Sequence, residues 1–142
     1  MSANFLAQIE DIVLAEASKM PPPSAAFLKG GEVWRRQYRL PADLLVFQGH
    51  FAANPVLPAL AQVLMAKDAA RRLSGLDLRL TAVEQAKFLA PVGPGHILSV
   101  YAQAPEGWPG DWRFHLTADP ENGGPALDAA FLKLQLEAQA GA

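Results

Sequence analysis

Pro58 to Leu73 is the stretch that most restricts how this chain can fold. Apolar residues fill nearly every position from Leu57 to Ala66, and Ala and Leu dominate the segment. A helix that is apolar all round has to be buried. Pro58 suits a first helical turn, where the N–H it lacks is not needed. Arg71 and Arg72 complement the negative end of the helix dipole, and Ser74-Gly75 is a stop signal. The apolar run is broken by Gln62 and closed by Lys67 and Asp68, well short of the roughly 20 residues a bilayer demands. The pattern predicts a central helix over 58–73 inside a fold, not a membrane span.

The rest of the chain has to cover that helix, and most of it reads as strand. Near the start, Phe5, Ile9, Ile12, Val13 and Ala17 recur at helical spacing. They predict a short amphipathic helix over Asn4–Ser18, with Ser2 or Asn4 as N-cap. Pro21, Pro22 and Pro23 end it. A loop through Gly30 and Gly31 then leads into a strand over Glu32–Leu40. After the central helix, strands are expected over Leu78–Leu89, Ile97–Ala104, Trp112–Ala118 and Ala129–Leu136. Turns at Pro91–Gly95, Glu106–Asp111 and Asp119–Pro125 separate them. One buried helix followed by several antiparallel strands is an α+β order, a sheet wrapped against one helix.

Composition removes several function classes. At 142 residues, with 51% hydrophobic and 18% charged, the chain can bury one core and is too apolar to be disordered. A formal net charge of −2 excludes a general nucleic-acid binder, which carries a basic excess. The absence of cysteine excludes disulfides, thiolate metal sites and a Cys nucleophile. No phosphate-binding glycine loop, metal-ligand spacing or Ser nucleophile motif is present, so neither a cofactor nor a metal is expected. Met1 to Ala17 contains Glu10, Asp11 and Glu16 and has no basic start, unlike a signal peptide, so a cytoplasmic location is expected.

Of the three histidines, His96 falls at a turn and His115 inside a strand pattern, where a structural or exposed role is the ordinary reading. His50 has more informative neighbours. It lies in Phe47-Gln48-Gly49-His50-Phe51, followed by Asn54-Pro55-Val56-Leu57-Pro58 and the central helix. Gly49 permits tight backbone geometry, and the two prolines stiffen the approach to the helix N-terminus. Unsatisfied N–H groups and the positive dipole end there stabilise a developing oxyanion. A base beside such a site is what proton removal next to a carbonyl requires.

The run from Phe47 to Ala66, FQGHFAANPVLPALAQVLMA, resembles the signature of the hotdog-fold β-hydroxyacyl-acyl carrier protein dehydratases. In that family a Gly-His-Phe precedes an x-Pro-x-x-Pro-Gly step into the long central helix. Ala82 to Val92 and the turn Gly93-Pro94-Gly95 are similar to the family's next strand and turn, and Ala61-Gln62-Val63 is similar to its aryl polyene type members. The resemblance implies a single hotdog domain over 1–142, with an N-terminal helix in 1–20 and the central helix at 58–73. It also implies a homodimer whose sheets join and whose sites lie between subunits. In that reading His50 is the catalytic histidine and the Ala59 N–H polarises the thioester carbonyl. Phe51 and residues of the helix, among them Gln62 and Leu64, line the acyl site.

Two departures bear on activity. The family's Glu or Asp, fourteen residues after the histidine, is Leu64 here, and losing a general acid typically lowers the rate about 10²–10⁴-fold. Asp68 follows one turn later, roughly 6 Å along the axis. It has two readings: a substitute acid acting through water, or a residue ion-paired with Arg71 or Arg72. Ala59 replaces the family glycine, keeping the N–H but adding a methyl where substrate approaches. Arg35, Arg36 and Arg39 read either as a docking patch for an acidic carrier or as solvent-facing strand residues, and Trp34, Trp108 and Trp112 as core or dimer residues. The implied function is a (3R)-hydroxyacyl-acyl carrier protein dehydratase acting on a carrier-protein or CoA thioester. Its rivals are a non-catalytic acyl-thioester binder, the half-site subunit of a hotdog heterodimer, and a thioesterase.

Overall fold

The computed structural model describes residues 3–20, 28, 32–47, 55–105 and 111–139. Helix α1 (Ala3–Asp11) is followed by strands β1 (Val13–Met20) and β2 (Val33–Arg39), and a short 3-10 turn spans Leu45–Phe47. Helix α2 (Ala59–Ser74) comes next, then β3 (Leu78–Phe88), β4 (Ile97–Gln103), β5 (Asp111–Asp119) and β6 (Leu127–Ala138). The six strands form one sheet in the order β1-β2-β4-β5-β6-β3, with antiparallel neighbours throughout. This is the α+β arrangement expected, and α2 is the helix expected at 58–73, displaced by one residue with Pro58 as its N-cap.

The strand alternation decides which face meets the helix. Register pairs Tyr38 with Leu98 and Arg36 with Val100, so these side chains share one face of the sheet. Phe114, Leu116, Leu132 and Leu134 continue that face on β5 and β6, and all are fully buried. Against them α2 sets Ala61, Met65, Ala66 and Ala69, with Phe5 and Ile9 of α1 in the same core. Small residues on α2 let the helix backbone lie close to a sheet whose inward side chains are large.

The expectation of a helix over Asn4–Ser18 is corrected. The helix stops at Asp11, and Val13–Met20 pairs antiparallel with β2, from Val13↔Tyr38 to Met20↔Val33. The Ile12 carbonyl accepts the Arg39 N–H at 2.8 Å, so pairing begins as soon as the helix ends. Phe5, Ile9 and Ile12 are buried as the helical pattern required. Beyond them only Val13 and Ala17 supported a helix, and the open edge of β2 outweighed that weak local preference.

One stripe of α2 is not covered by the described residues. Leu60 is 50% exposed, and Leu64 and Lys67, one and two turns further on, are half-buried. Beside it β3 is an edge strand with Val83 and Phe88 exposed. Among the described residues no helix is long and apolar enough to cross a membrane.

Candidate functional site

Val56, Leu57, Pro58, Ala59 and Gln62, on the approach to α2 and its first turn, form one wall of a cleft of about 390 Å³. Phe88, Leu89, Ala90 and Pro91, at the end of β3, form the other. The two walls are tied by the Leu57 N–H, which donates to the Val92 carbonyl at 2.6 Å. The turn beyond is fastened in its own right. The Gly93 N–H donates to His96 Nδ1 at 3.1 Å, and Gly95 and His96 exchange backbone bonds with Leu40 at 2.7 and 3.1 Å. His96 thus serves the turn, in keeping with the structural reading.

The N-terminus of α2 opens on this cleft without a side-chain cap. Pro58 supplies no capping bond, and the first intrahelical donor is the Gln62 N–H, to the Pro58 carbonyl at 3.2 Å. The N–H groups of the first turn have no intrahelical acceptor. Ala59, expected to polarise a carbonyl, is exposed on the cleft wall. Gln62 is buried; its Nε2 donates to the Leu57 carbonyl at 3.3 Å, and its Oε1 has no partner among the described residues.

The remaining site expectations fall elsewhere. His50 and Phe51 lie outside the described residues. Leu64 packs beside the core on the uncovered stripe of α2 and is not part of the cleft wall. Asp68 lies four residues on, a rotation of roughly 40° from Leu64, and that turns it toward the sheet. Its Oδ2 accepts the Tyr38 hydroxyl at 2.8 Å, and it pairs with Arg36 at 3.7 Å and Arg71 at 3.8 Å. This is the ion-pair reading of Asp68, with Arg36 added and Arg72 bonded to Glu10 instead. Burial pushes the Tyr38 phenol well above its ordinary range, and the adjacent Asp68 carboxylate adds to the shift.

Arg36, expected in a docking patch or facing solvent, is instead 1% exposed on the helix-facing side of the sheet, beside Glu10 and Asp68. Alternation in the sequence could not reveal this, because neither face of β2 has a clean pattern. Arg39 is exposed and Arg35 half-buried. Trp112 is a core residue stacked on Phe114, Trp34 is half-buried, and Trp108 lies outside the described residues. His115 is buried on the opposite face of the sheet, bonded to Asp128 at 2.8 Å and stacked on Phe131. The sequence reading missed the Phe88–Pro91 wall as part of a site. Its signal was the apolar Phe88-Leu89-Ala90 at the end of a largely polar strand, running straight into Pro91-Val92-Gly93-Pro94.

The family model described as ApeI-like, ApeI dehydratase, matches residues 29–123. The chain is 38% identical over 66 residues to the 3-hydroxyacyl-[acyl-carrier-protein] dehydratase FabZ of Levilactobacillus brevis, covering 40% of this chain and 43% of that protein. With the FabZ of Acidiphilium cryptum it shares 28% identity over 104 residues, covering 67% of this chain and 62% of that protein. The chain thus spans less than two thirds of the length of these curated relatives. Among solved structures, the dehydratase heterocomplex ApeI:P from Xenorhabdus doucetiae superposes with a TM-score of 0.63 at 23% identity, covering 86% of this chain and 98% of that chain. At that identity the likeness establishes the hotdog fold.

Proposed function

The chain belongs to the ApeI-like dehydratase family, and on that premise we propose that it acts on 3-hydroxyacyl thioesters, eliminating water between C2 and C3, with His50 as base. The observation that carries this reading is the uncapped N-terminus of α2, opening on an apolar cleft directly downstream of Gly49-His50-Phe51. His50 takes the C2 proton, and the Ala59 N–H donates to the thioester oxygen as negative charge gathers there. The C3–O bond then breaks, and a protonated acid delivers the proton with which the hydroxyl leaves as water. Phe51 shelters the acyl chain. The carrier is an acyl carrier protein or CoA, in a cytoplasmic setting.

A second reading refines the first: the acid comes from another hotdog chain, and this chain is one half of a composite site. Leu64 favours it, because the position where the family places its acid lies on the uncovered stripe of α2, next to the free edge of β3. Asp68, tied to Tyr38, Arg36 and Arg71, is not assigned the proton transfer. Half-exposed Leu60 and the exposed Phe88 and Leu89 give a subunit partner an apolar surface to cover. The Xenorhabdus relative is itself a heterocomplex, which supports a mixed pair over a homodimer.

The test is hydration and dehydration of a trans-2-enoyl/3-hydroxyacyl thioester pair by wild type and His50→Ala, each alone and mixed with hotdog partners. Activity that appears on mixing and vanishes with His50→Ala is the expected result. Full activity in the isolated homodimer sinks the half-site reading. Release of free thiol in place of enoyl exchange would make the protein a thioesterase.

A further inference from the structure

We propose that this chain, without a partner, carries out half of the reaction assigned above: it removes and returns the C2 proton of an acyl thioester while the C3 hydroxyl stays in place. The inference rests on the roles given above to His50 and the Ala59 N–H. It adds a separate activity, the enolisation of acyl thioesters with or without a 3-hydroxyl group.

The chain around the start of α2 supplies a base and hydrogen-bond donors but no acid. Residues 44–67 contain no carboxyl group, and His50 and Lys67 are their ionisable side chains. Lys67 follows Ala59 by eight residues, roughly 12 Å along the helix axis, whereas C3 lies two bonds from the thioester carbonyl carbon. Among the described residues, none that lines either wall of the cleft is ionisable, and the buried Gln62 carries a neutral amide. Two carboxylates bracket the carboxyl-free stretch. Asp43 is exposed ahead of the buried Leu44, Val46 and Phe47, and Asp68 is tied to Tyr38, Arg36 and Arg71. On the facing strand Glu84 precedes Phe88 by four residues, roughly 13 Å of extended chain.

These parts decide which bonds break. His50 takes the C2 proton, the pair of that C–H bond moves between C2 and the carbonyl carbon, and the carbonyl π pair moves onto oxygen beside the Ala59 N–H. The enolate then has two exits. It takes a proton back at C2 from the imidazolium, which has exchanged with water, or it expels the C3 oxygen as hydroxide. Hydroxide is a poor leaving group, and an acid that lets it depart as water typically contributes about 10²–10⁴ in rate. Without that acid the return to C2 dominates, so the proton turns over while the hydroxyl persists. No step of this cycle uses the hydroxyl, so a saturated acyl thioester is a substrate too.

The experiment incubates the full chain by itself with the pantetheine thioesters of (3R)-3-hydroxybutyrate and of butyrate. In D₂O, NMR follows deuterium entering C2. In water carrying labelled oxygen, mass spectrometry follows oxygen entering C3, which requires loss and return of water. Deuterium is expected to enter the hydroxy substrate at least about 10²-fold faster than oxygen, to enter the butyryl group as well, and to stop in His50→Ala. Leu64→Glu should narrow the gap by speeding the oxygen exchange. A ratio below about tenfold in wild type overturns the proposal, because deuterium then arrives through dehydration and the acid lies within this chain. No deuterium entry by the isolated chain, with dehydration on mixing with a hotdog partner, overturns it as well and leaves the function proposed above standing. No reaction alone or in any mixture removes that function and this inference together.

Discussion

The two ends of α2 have been built to opposite rules. At its C-terminal end the charged and capping groups find partners within the chain. Gly75 takes the left-handed conformation at φ 73° and its N–H caps the Arg71 carbonyl at 2.9 Å. Asp68 is held by Tyr38, Arg36 and Arg71, and Glu10 of α1 joins Arg36 to Arg72. At the N-terminal end, among the described residues, no side chain caps the helix, the Oε1 of Gln62 is unpaired, and Leu60 is half-exposed. An end left open opposite one supplied with partners offers its N–H groups to contacts beyond the described residues. One half of the helix fixes the fold, and the other is where the proposed function puts ligand and partner.

The sharpest way to break this contrast is Asp68→Ala. It removes the buried carboxylate from beside Arg36, and losing one member of such a pair typically destabilises by about 3–5 kcal/mol. Urea unfolding measures it; a loss under about 1 kcal/mol would mean the cluster does not hold the helix to the sheet. Next in size, Leu64→Glu puts a carboxyl on the uncovered stripe and should raise dehydration by the isolated protein about 10²-fold. A folded variant with wild-type turnover would show that Leu64 is not where the acid is missing.

Tyr38 gives a pH-dependent version of the same test. Its folded-state pKa lies above the ordinary phenol value, so the unfolded chain ionises first as pH rises. The stability it contributes is whole below pH ~10 and falls above that, by up to about 1.4 kcal/mol per pH unit until the folded-state value is reached. Tyr38→Phe should lack this alkaline loss and be about 1 kcal/mol less stable at neutral pH, through the missing bond to Asp68. Parallel alkaline limbs for the two proteins would contradict the burial assigned to the phenol. The smallest effect is expected at Gly75→Ala, where a Cβ meets nothing within 4 Å. Only the left-handed backbone opposes the change, by about 1 kcal/mol in thermal or urea unfolding.

Much of the fold could be read from periodicity because α2 and the strands β4 to β6 are long and carry one pattern each. Leu132, Leu134 and Leu136 alternate as a half-buried strand must, and all three are in the core. The start of the chain misled because a helical and an extended pattern overlap around Ile12 and Val13, and only the vacant edge of β2 distinguishes them. The candidate site was half legible. Pro58, Ala59 and Gln62 stood out as the start of a helix next to a histidine motif. The Phe88–Pro91 wall did not, since it comes from a strand about 30 residues further along that only the fold brings alongside.

By itself the sequence determined that one largely apolar helix had to be covered by antiparallel strands, because the rest of the chain supplies mostly strand patterns with which to cover it. It also fixed the residue types available at the start of that helix. Tertiary structure decided what each polar group does. A rotation of roughly 40° between adjacent turns of α2 directs Asp68 into an ion-paired cluster and leaves Leu64 on an open stripe. Strand register turns Arg36 inward against Glu10 and Asp68. These outcomes depend on partners distant in sequence, and a local pattern holds no record of which side of an element such a partner will occupy.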